Sequence, residues 1–485
     1  MRAVNAPMEY VKVVSTRQMT GILSLVVALL AAIGFIWAES TEALLAYFLV
    51  LFAAVLPSII WIRMGATGIP VLAVVSWTYI PYFAWPVLGG NESTLDYTLS
   101  EVVESAATVA LFLIVATAIW WPIASKARTR GAGTLGEAKE SRVIGLLLLG
   151  LFAGIVFQVG NISGLLDEFK SFFGLIRSIA ITYSTVSCFL IGVTRAQGVL
   201  RGKAWAAALA GIGVLIGLSW SSLFLVGGLI NILAVVFGYV IVSRRVPWVA
   251  MISLVILVTV LHAGKAEMRA KYWELESTSG TGTSLAELPS IAVEWFGEGI
   301  YALSHGLAGQ SPLDRASLLQ MVLMVESRTP SQVDFLNGET YSYLPSILVP
   351  RFIDANKPAS QIGMDLLNIR YGLLTVEGVE TTAIGWGLIA EAYANFGYSG
   401  VIGIALLLGA FCGLLQSWSA KASIVSIPTL IGVASMMTLI NIEADFIQVC
   451  TTLLQSCVSV LIFSIFYRWF AADQSLRSGP GNRVS

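Results

Sequence analysis

Apolar windows of about 20 residues recur along the chain until one long polar interruption, Ala263 to Thr382, breaks the series. A helix rising 1.5 Å per residue crosses the roughly 30 Å hydrocarbon core in such a window, whereas an open strand leaves backbone groups unsatisfied in lipid. The pattern therefore predicts an all-α polytopic membrane protein with about twelve transmembrane helices. They fall at 19–38, 43–62, 69–88, 102–124, 143–161, 176–194, 204–220, 223–242, 247–263, 384–415, 428–444 and 447–468. The apolar run 204–242 is too long for one crossing, and the polar turn Ser219–Trp220–Ser221–Ser222 at its middle predicts a hairpin. Helices 1–9 form a bundle over 1–262. A large loop follows over 263–383, and helices 10–12 with a tail occupy 384–485.

Composition agrees: 56% hydrophobic and 12% charged residues in 485 exclude an ordinary soluble globule. The start, with Arg2, Lys12 and Arg17 before an apolar run from Met19 to Ala38, resembles a signal peptide. The run is long and a second span follows at once, so an uncleaved first helix is expected. Connections alternate in charge. Arg63, the 125–142 loop, the 195–203 loop, Arg244–Arg245, Lys421 and both terminal segments are basic. The opposite connections carry Glu39, Glu42, Glu92, Asp96, Glu101, Asp167, Glu168, Glu443 and Asp445, with Lys170 and Arg177 their only cations. The positive-inside rule puts both termini in the cytoplasm and the long loop on the outer face. Cys188, Cys412, Cys450 and Cys457 all lie in apolar segments, which argues against a disulfide framework or thiolate metal site. The stretches Arg130–Gly136 and Ser277–Ser284 read as flexible. Gly150/Gly154, Gly213/Gly217 and Gly409/Gly413 have the spacing of close helix packing.

The loop is too apolar to be a tether. Residues 285–308 set Leu288, Ile291, Ala292, Trp295, Phe296 and Leu303 at helical spacing, predicting an amphipathic helix on or re-entering the membrane surface. Asp314 is placed to cap a second helix, about 314–327, presenting Leu318, Leu319, Val322 and Val325. Arg328, Arg351, Lys357 and Arg370 fall at turns or helix ends near the expected interface. An Arg fork binds phosphate oxygens bidentately and Lys binds them as a point charge, so these are candidate anion ligands; they could equally pair with Glu326, Asp334, Asp354 or Asp365. Glu391, in the first turns of span ten, is an acid inside a membrane helix and thereby a candidate functional group, or else a structural partner of a loop Arg. His305 is a candidate base or a structural hydrogen-bonder. No HExxH, CxxC, calcium loop, P-loop or GxSxG is present, so no metal or other cofactor is expected.

Two strings carry a resemblance to a known family. The first is Arg328–Thr329 … Asn337–Gly338–Glu339–Thr340–Tyr341 … Val349–Pro350–Arg351–Phe352 … Asn356–Lys357–Pro358. The second is Ile389–Ala390–Glu391–Ala392–Tyr393–Ala394–Asn395–Phe396–Gly397–Tyr398–Ser399–Gly400. In order and placement they resemble the outer loop and following span of Wzy-type O-antigen and exopolysaccharide repeat-unit polymerases, over about a seventh of the chain. The resemblance implies a GT-C-like, metal-independent glycosyltransferase of the bacterial inner membrane, acting on undecaprenyl-pyrophosphate-linked oligosaccharides. It further implies contact with membrane lipids, a chain-length regulator and a flippase as partners, and no nucleic acid. On this reading Arg328, Arg351, Lys357 and Arg370 would hold the leaving pyrophosphate, and Glu391, Asp334 and His305 are candidate bases in that order. Tyr341, Tyr343 and Trp295 would stack on sugars. Relatives often have an Arg at the hairpin where this chain has Ser219–Trp220–Ser221–Ser222, which leaves phosphate contact to the long loop or Arg177. A second large outer loop is also missing. The related O-antigen ligases, passing glycan to lipid A core, are therefore the competing enzyme class. A transporter or an export-complex scaffold is the alternative outside enzymes.

Overall fold

The computed structural model describes residues 16–88, 91, 94–126, 140–169, 172–279, 285–305, 317–349, 351, 353–354, 356–380 and 382–470. Among the residues singled out above, Arg2, Lys12, Glu92, Arg130–Gly136, Lys170, Asp314, Pro350, Phe352 and the tail from 471 lie outside that set. The described elements are helices, with no β-strand among them. The first nine are α1 Thr16–Trp37, α2 Thr41–Arg63, α3 Val71–Val75, α4 Leu99–Ala124, α5 Glu140–Ile162, α6 Phe173–Ala196, α7 Gly202–Trp220, α8 Leu225–Ser243 and α9 Trp248–Ala263. The long loop adds α10 Lys265–Ser279, α11 Leu288–Ser304, α12 Leu319–Arg328, α13 Glu339–Ser342, α14 Leu344–Leu348 and α15 Ile362–Arg370. The chain closes with α16 Gly387–Ser419, α17 Ile427–Leu439 and α18 Phe446–Phe470.

Nine described helices are long and apolar enough to cross a membrane; α9 and Lys265–Tyr272 of α10 meet the same test only when taken together across a 47° bend. The chain is thus a polytopic membrane protein. Two expected spans are shorter than the hydropathy suggests. At 69–88, α3 passes into 3-10 and π turns that continue to Val87, because Pro81 and Pro86 each remove an N–H from the ladder. The expected span at 428–444 is the 13-residue α17, nearly all buried. The hairpin between α7 and α8 is present, turning at Leu223.

Packing places α16 along α4, α4 along α2, and α6 along α8. Small residues permit the close approaches. A Cβ at Gly409 would strike the Ala116 carbonyl of α4, and one at Gly413 would lie 2.9 Å from Ile123 Cβ. Gly150 and Gly154 press on Ser187 and Ser184 of α6 in the same way. At Gly213 and Gly217 nothing lies within 4 Å, so that pair makes no close packing inside the chain. Overpacking a tight site costs about 1–3 kcal/mol. Gly409→Val should accordingly lower the melting temperature in detergent by several degrees, while Gly213→Val should leave it unchanged.

The described part of the loop is helical in places and partly internal. In α11 only Ile291, Trp295 and Gly299 are buried, against α9 and α10; Ala292, Phe296 and Leu303 face outward. Trp295 is a core side chain whose Nε1 donates to the Leu261 carbonyl (2.6 Å), which corrects its expected sugar-stacking role. In α12 the expected apolar set Leu318, Leu319, Val322 and Val325 is buried between α4 and α16. A loop helix is therefore inserted into the bundle as well as laid over it. The expected flexible stretch Ser277–Ser284 begins inside α10, and its remainder, 280–284, lies outside the described residues.

Candidate functional site

The loop docks on a break in α16. Gly397 has φ 60° and ψ −147°, backbone that only glycine adopts readily, inside an otherwise helical run. In an unbroken helix the carbonyls of Ala394 and Asn395 would serve the N–H groups of residues 398 and 399. Here they accept the loop N–H groups of Leu336 (3.0 Å) and Asn337 (3.1 Å). The Asn395 side chain completes the joint: Oδ1 accepts the Gly338 N–H (3.0 Å), and Nδ2 donates to Thr340 Oγ1 and to the Glu391 carbonyl (2.9 Å each). Asn368 of α15 ties a second loop segment to the head of α16, accepting the Trp386 indole N–H (2.7 Å) and donating to the Ile384 carbonyl (3.2 Å).

One turn before Asn395, Glu391 is fully buried. Its Oε2 accepts the N–H of Phe446 (2.6 Å), the first residue of α18. Asp445, also buried, caps two helices at once. Oδ1 accepts from Gln448 of α18 (2.7 Å), and Oδ2 from Met364 in the first turn of α15 (2.9 Å). Both acids thus sit at the positive end of α18, where a carboxylate is favoured. Gly363 is wedged between them: a Cβ there would lie 2.6 Å from Asp445 Oδ2 and 3.7 Å from Glu391 Oε1. Glu391 Oε1, Asp365 Oδ1 and the Tyr341 hydroxyl are buried with no hydrogen-bond partner. Leaving such a group unpaired costs about 1–3 kcal/mol, so a cluster of three marks a polar locus rather than ordinary core. Burial raises the pKa of Asp445 and of Asp365, and burial with the nearby acids Glu391 and Asp445 raises that of Tyr341.

A raised carboxylate pKa means the folded chain holds that proton more tightly than the unfolded chain does. Its contribution to stability is full at low pH and is lost as pH rises through the shifted value. Asp445→Asn removes this titration. The variant should flatten the fall of melting temperature between about pH 4 and about 6, the range from an ordinary aspartate to the shifted Asp445. It should also lower the plateau by about 1–2 kcal/mol through one lost cap.

The expected phosphate ligands divide into three environments. Arg328 ends α12, half-buried; its Nη1 donates to the Tyr371 carbonyl (3.0 Å), and no carboxylate among the described residues pairs with it. Tyr97 and Tyr371 lie within electrostatic reach of its guanidinium, and the two hydroxyls of Tyr371 and Thr329 are 2.6 Å apart. Lys357 donates to the carbonyls of Ile347 and Val349 (2.6 Å each), and Arg351 Nη2 to that of Pro358 (3.4 Å). Partial burial and the neighbouring Arg351 cation lower the Lys357 pKa, as expected where like charges are held together. Arg370, by contrast, forms an exposed ion pair with Glu339 (2.9 Å).

The remaining candidates scatter. Tyr341 packs edge-on to Phe446 of α18, with ring centroids 5.2 Å apart, beside the two acids. Tyr343 is half-buried between α13 and α14. Asp334 is exposed, two residues before the docked Leu336. His305 is exposed at the end of α11, its Nδ1 3.0 Å from the Tyr301 carbonyl and from Ser304 Oγ. Arg177 is exposed near the start of α6.

Sequence reasoning missed Asp445, Asp365 and Asn395 as members of this cluster. Asp445 was visible only as one acid of a short connection; a helix-capping acid directly before the apolar run of α18 was the signal. Among the described residues no group of three or more His, Cys, Asp or Glu side chains is arranged to hold a metal ion. No protein-family model, curated protein or solved structure matches the chain.

Proposed function

We propose that this membrane protein is a lipid-linked glycosyltransferase with twelve spans and a GT-C-like arrangement. It would polymerise undecaprenyl-pyrophosphate-linked repeat units at the outer face of the bacterial inner membrane. The short helical segments Val71–Val87 and Ile427–Leu439 would complete the count of crossings. The observation that carries the reading is Arg328. Its guanidinium stands among tyrosines, bonded to one carbonyl, where the polar loop meets the spanning helices. A buried or half-buried guanidinium without a carboxylate partner is a prepared anion site, and five donors can stabilise charge developing on a leaving pyrophosphate. Arg351 and Lys357, held side by side, supply a second cationic point for the same group. Arg370 is neutralised by Glu339 and is assigned no phosphate.

In the reaction an acceptor sugar hydroxyl would attack the anomeric carbon of the donor, whose bond to pyrophosphate breaks with the electron pair leaving on phosphate. Glu391 is fully buried, so a sugar reaches it only if the loop lifts. Its present geometry holds Phe446, Tyr341 and the loop in register. The test is reconstitution of the purified chain in vesicles with a single lipid-linked repeat unit as donor and acceptor. Chain growth supports the reading. Transfer only when lipid A core is offered would assign the ligase activity instead, and uptake of the lipid-linked unit without bond formation would assign transport.

A further inference from the structure

A second polar cluster lies on the other side of α12, away from the buried acids. Glu326, two residues before the helix ends, directs its carboxylate at α4. One oxygen accepts the Ser105 hydroxyl, and the other that of Thr108 (2.5 Å), three residues on along the same face. Glu104 of α4 accepts the hydroxyl of Tyr398 (3.1 Å), and the Tyr398 and Tyr393 rings meet edge-to-face at 5.3 Å. Tyr393 stands within electrostatic reach of Glu326, Glu104 and Tyr371. The tyrosines therefore run along the seam from Arg328 to Glu104.

Two properties decide what this seam could hold. Among the described residues no cation pairs with Glu326 or Glu104, so it does not suit an anion. Its surface is hydroxyls, carboxylates and aromatic rings. Each carboxylate oxygen keeps a further lone pair beyond its present bond, which can accept a ligand hydroxyl. Aromatic faces cover apolar C–H surface and tyrosines add a polar tip. Glu104, Tyr398 and Ser327 are exposed and Tyr97 and Tyr393 half-exposed, so the seam opens outward. Burial, reinforced by Glu104, raises the Glu326 pKa, which favours its acting as a hydrogen-bonding partner over a free surface charge.

We infer that the seam formed by Tyr97, Tyr393, Tyr398, Glu326 and Glu104 binds a saccharide through its hydroxyls. The placement ends at Arg328, so the sugar chain would run from the seam to the phosphate site. This rests on the glycosyl-transfer reading only for which saccharide it is.

The test is saturation-transfer NMR on the purified full chain in detergent. The ligand is the repeat-unit oligosaccharide released by mild acid from the lipid-linked intermediates of the producing cell. Transfer from aromatic protons to the saccharide is expected, with binding weakened about tenfold in Tyr393→Phe/Tyr398→Phe, two hydroxyls at about 1 kcal/mol or less each. Glu326→Gln should weaken it at least as much, and Arg370→Ala, at the exposed pair with Glu339, should bind the saccharide normally. Tyr398→Phe alone, an exposed position that keeps its ring, serves if the other variants fail to fold. No transfer at millimolar saccharide, or equal binding in the tyrosine and glutamate variants, overturns the seam. If the wild type binds saccharide here but forms no polymer in vesicles, the enzyme reading falls and the seam stands.

Discussion

Arg328→Ala should stop chain growth at single repeat units, while the protein still reaches the membrane in normal amount. The side chain contributes one recorded bond to the fold, donation to the Tyr371 carbonyl, so its loss costs about 1 kcal/mol of stability. Its loss to the reaction is larger. Removing a preorganised donor to a developing anion costs about 10²- to 10³-fold in turnover. Arg328→Lys should restore part of that, because a point charge remains while the fork is gone. Polymer length on a gel of extracted glycan, alongside membrane levels by immunoblot, distinguishes the outcomes. Long polymer in Arg328→Ala would remove Arg328 from the phosphate site and leave Arg351 with Lys357 as the remaining cationic point.

Gly397→Val should be nearly as damaging by a different route. A β-branched residue held at φ 60° and ψ −147° is strained by about 1–3 kcal/mol, and its Cβ would also press on the Phe335 ring at 3.4 Å. Relief lies in a regular helix, which returns the Ala394 and Asn395 carbonyls to their own ladder and strips them from Leu336 and Asn337. Amide exchange over 336–341 should accelerate by more than tenfold, and activity should fall by a similar factor. Unchanged exchange in a fully active variant would mean that the break does not anchor the loop.

The membrane bundle was legible because apolar windows report burial in lipid without reference to partners. What they could not report was continuity. Pro81 and Pro86 fragment a segment whose average hydropathy is that of a span, and α17 holds only 13 residues of an apolar run that reads as a full span. Of the loop helices, α11 and α12 were legible for the same reason as the spans, Leu318, Leu319, Val322 and Val325 keeping the period of one buried face, whereas α10 and α13–α15 were not. Polar roles were not, since each depends on a partner distant in sequence. Glu326 read as a counter-ion for a neighbouring Arg, yet its partners are Ser105 and Thr108, more than two hundred positions away. Asp445 looked like a loop charge until Met364 and Glu391 arrived from separate segments. Arg370 carried the same residue type as Arg328, and only Glu339 beside it separates the two.

The burial of α12 between α4 and α16 has a consequence for how the chain is made. Its apolar face has no partner on one side until α16 is synthesised, 59 residues after Arg328 by the start of that helix at Gly387. During that interval a ten-residue helix too short to cross a bilayer keeps one apolar side uncovered. The side of α12 that faces α16 is therefore closed only once Gly387–Ser419 has been made, although its α4 side can be covered earlier.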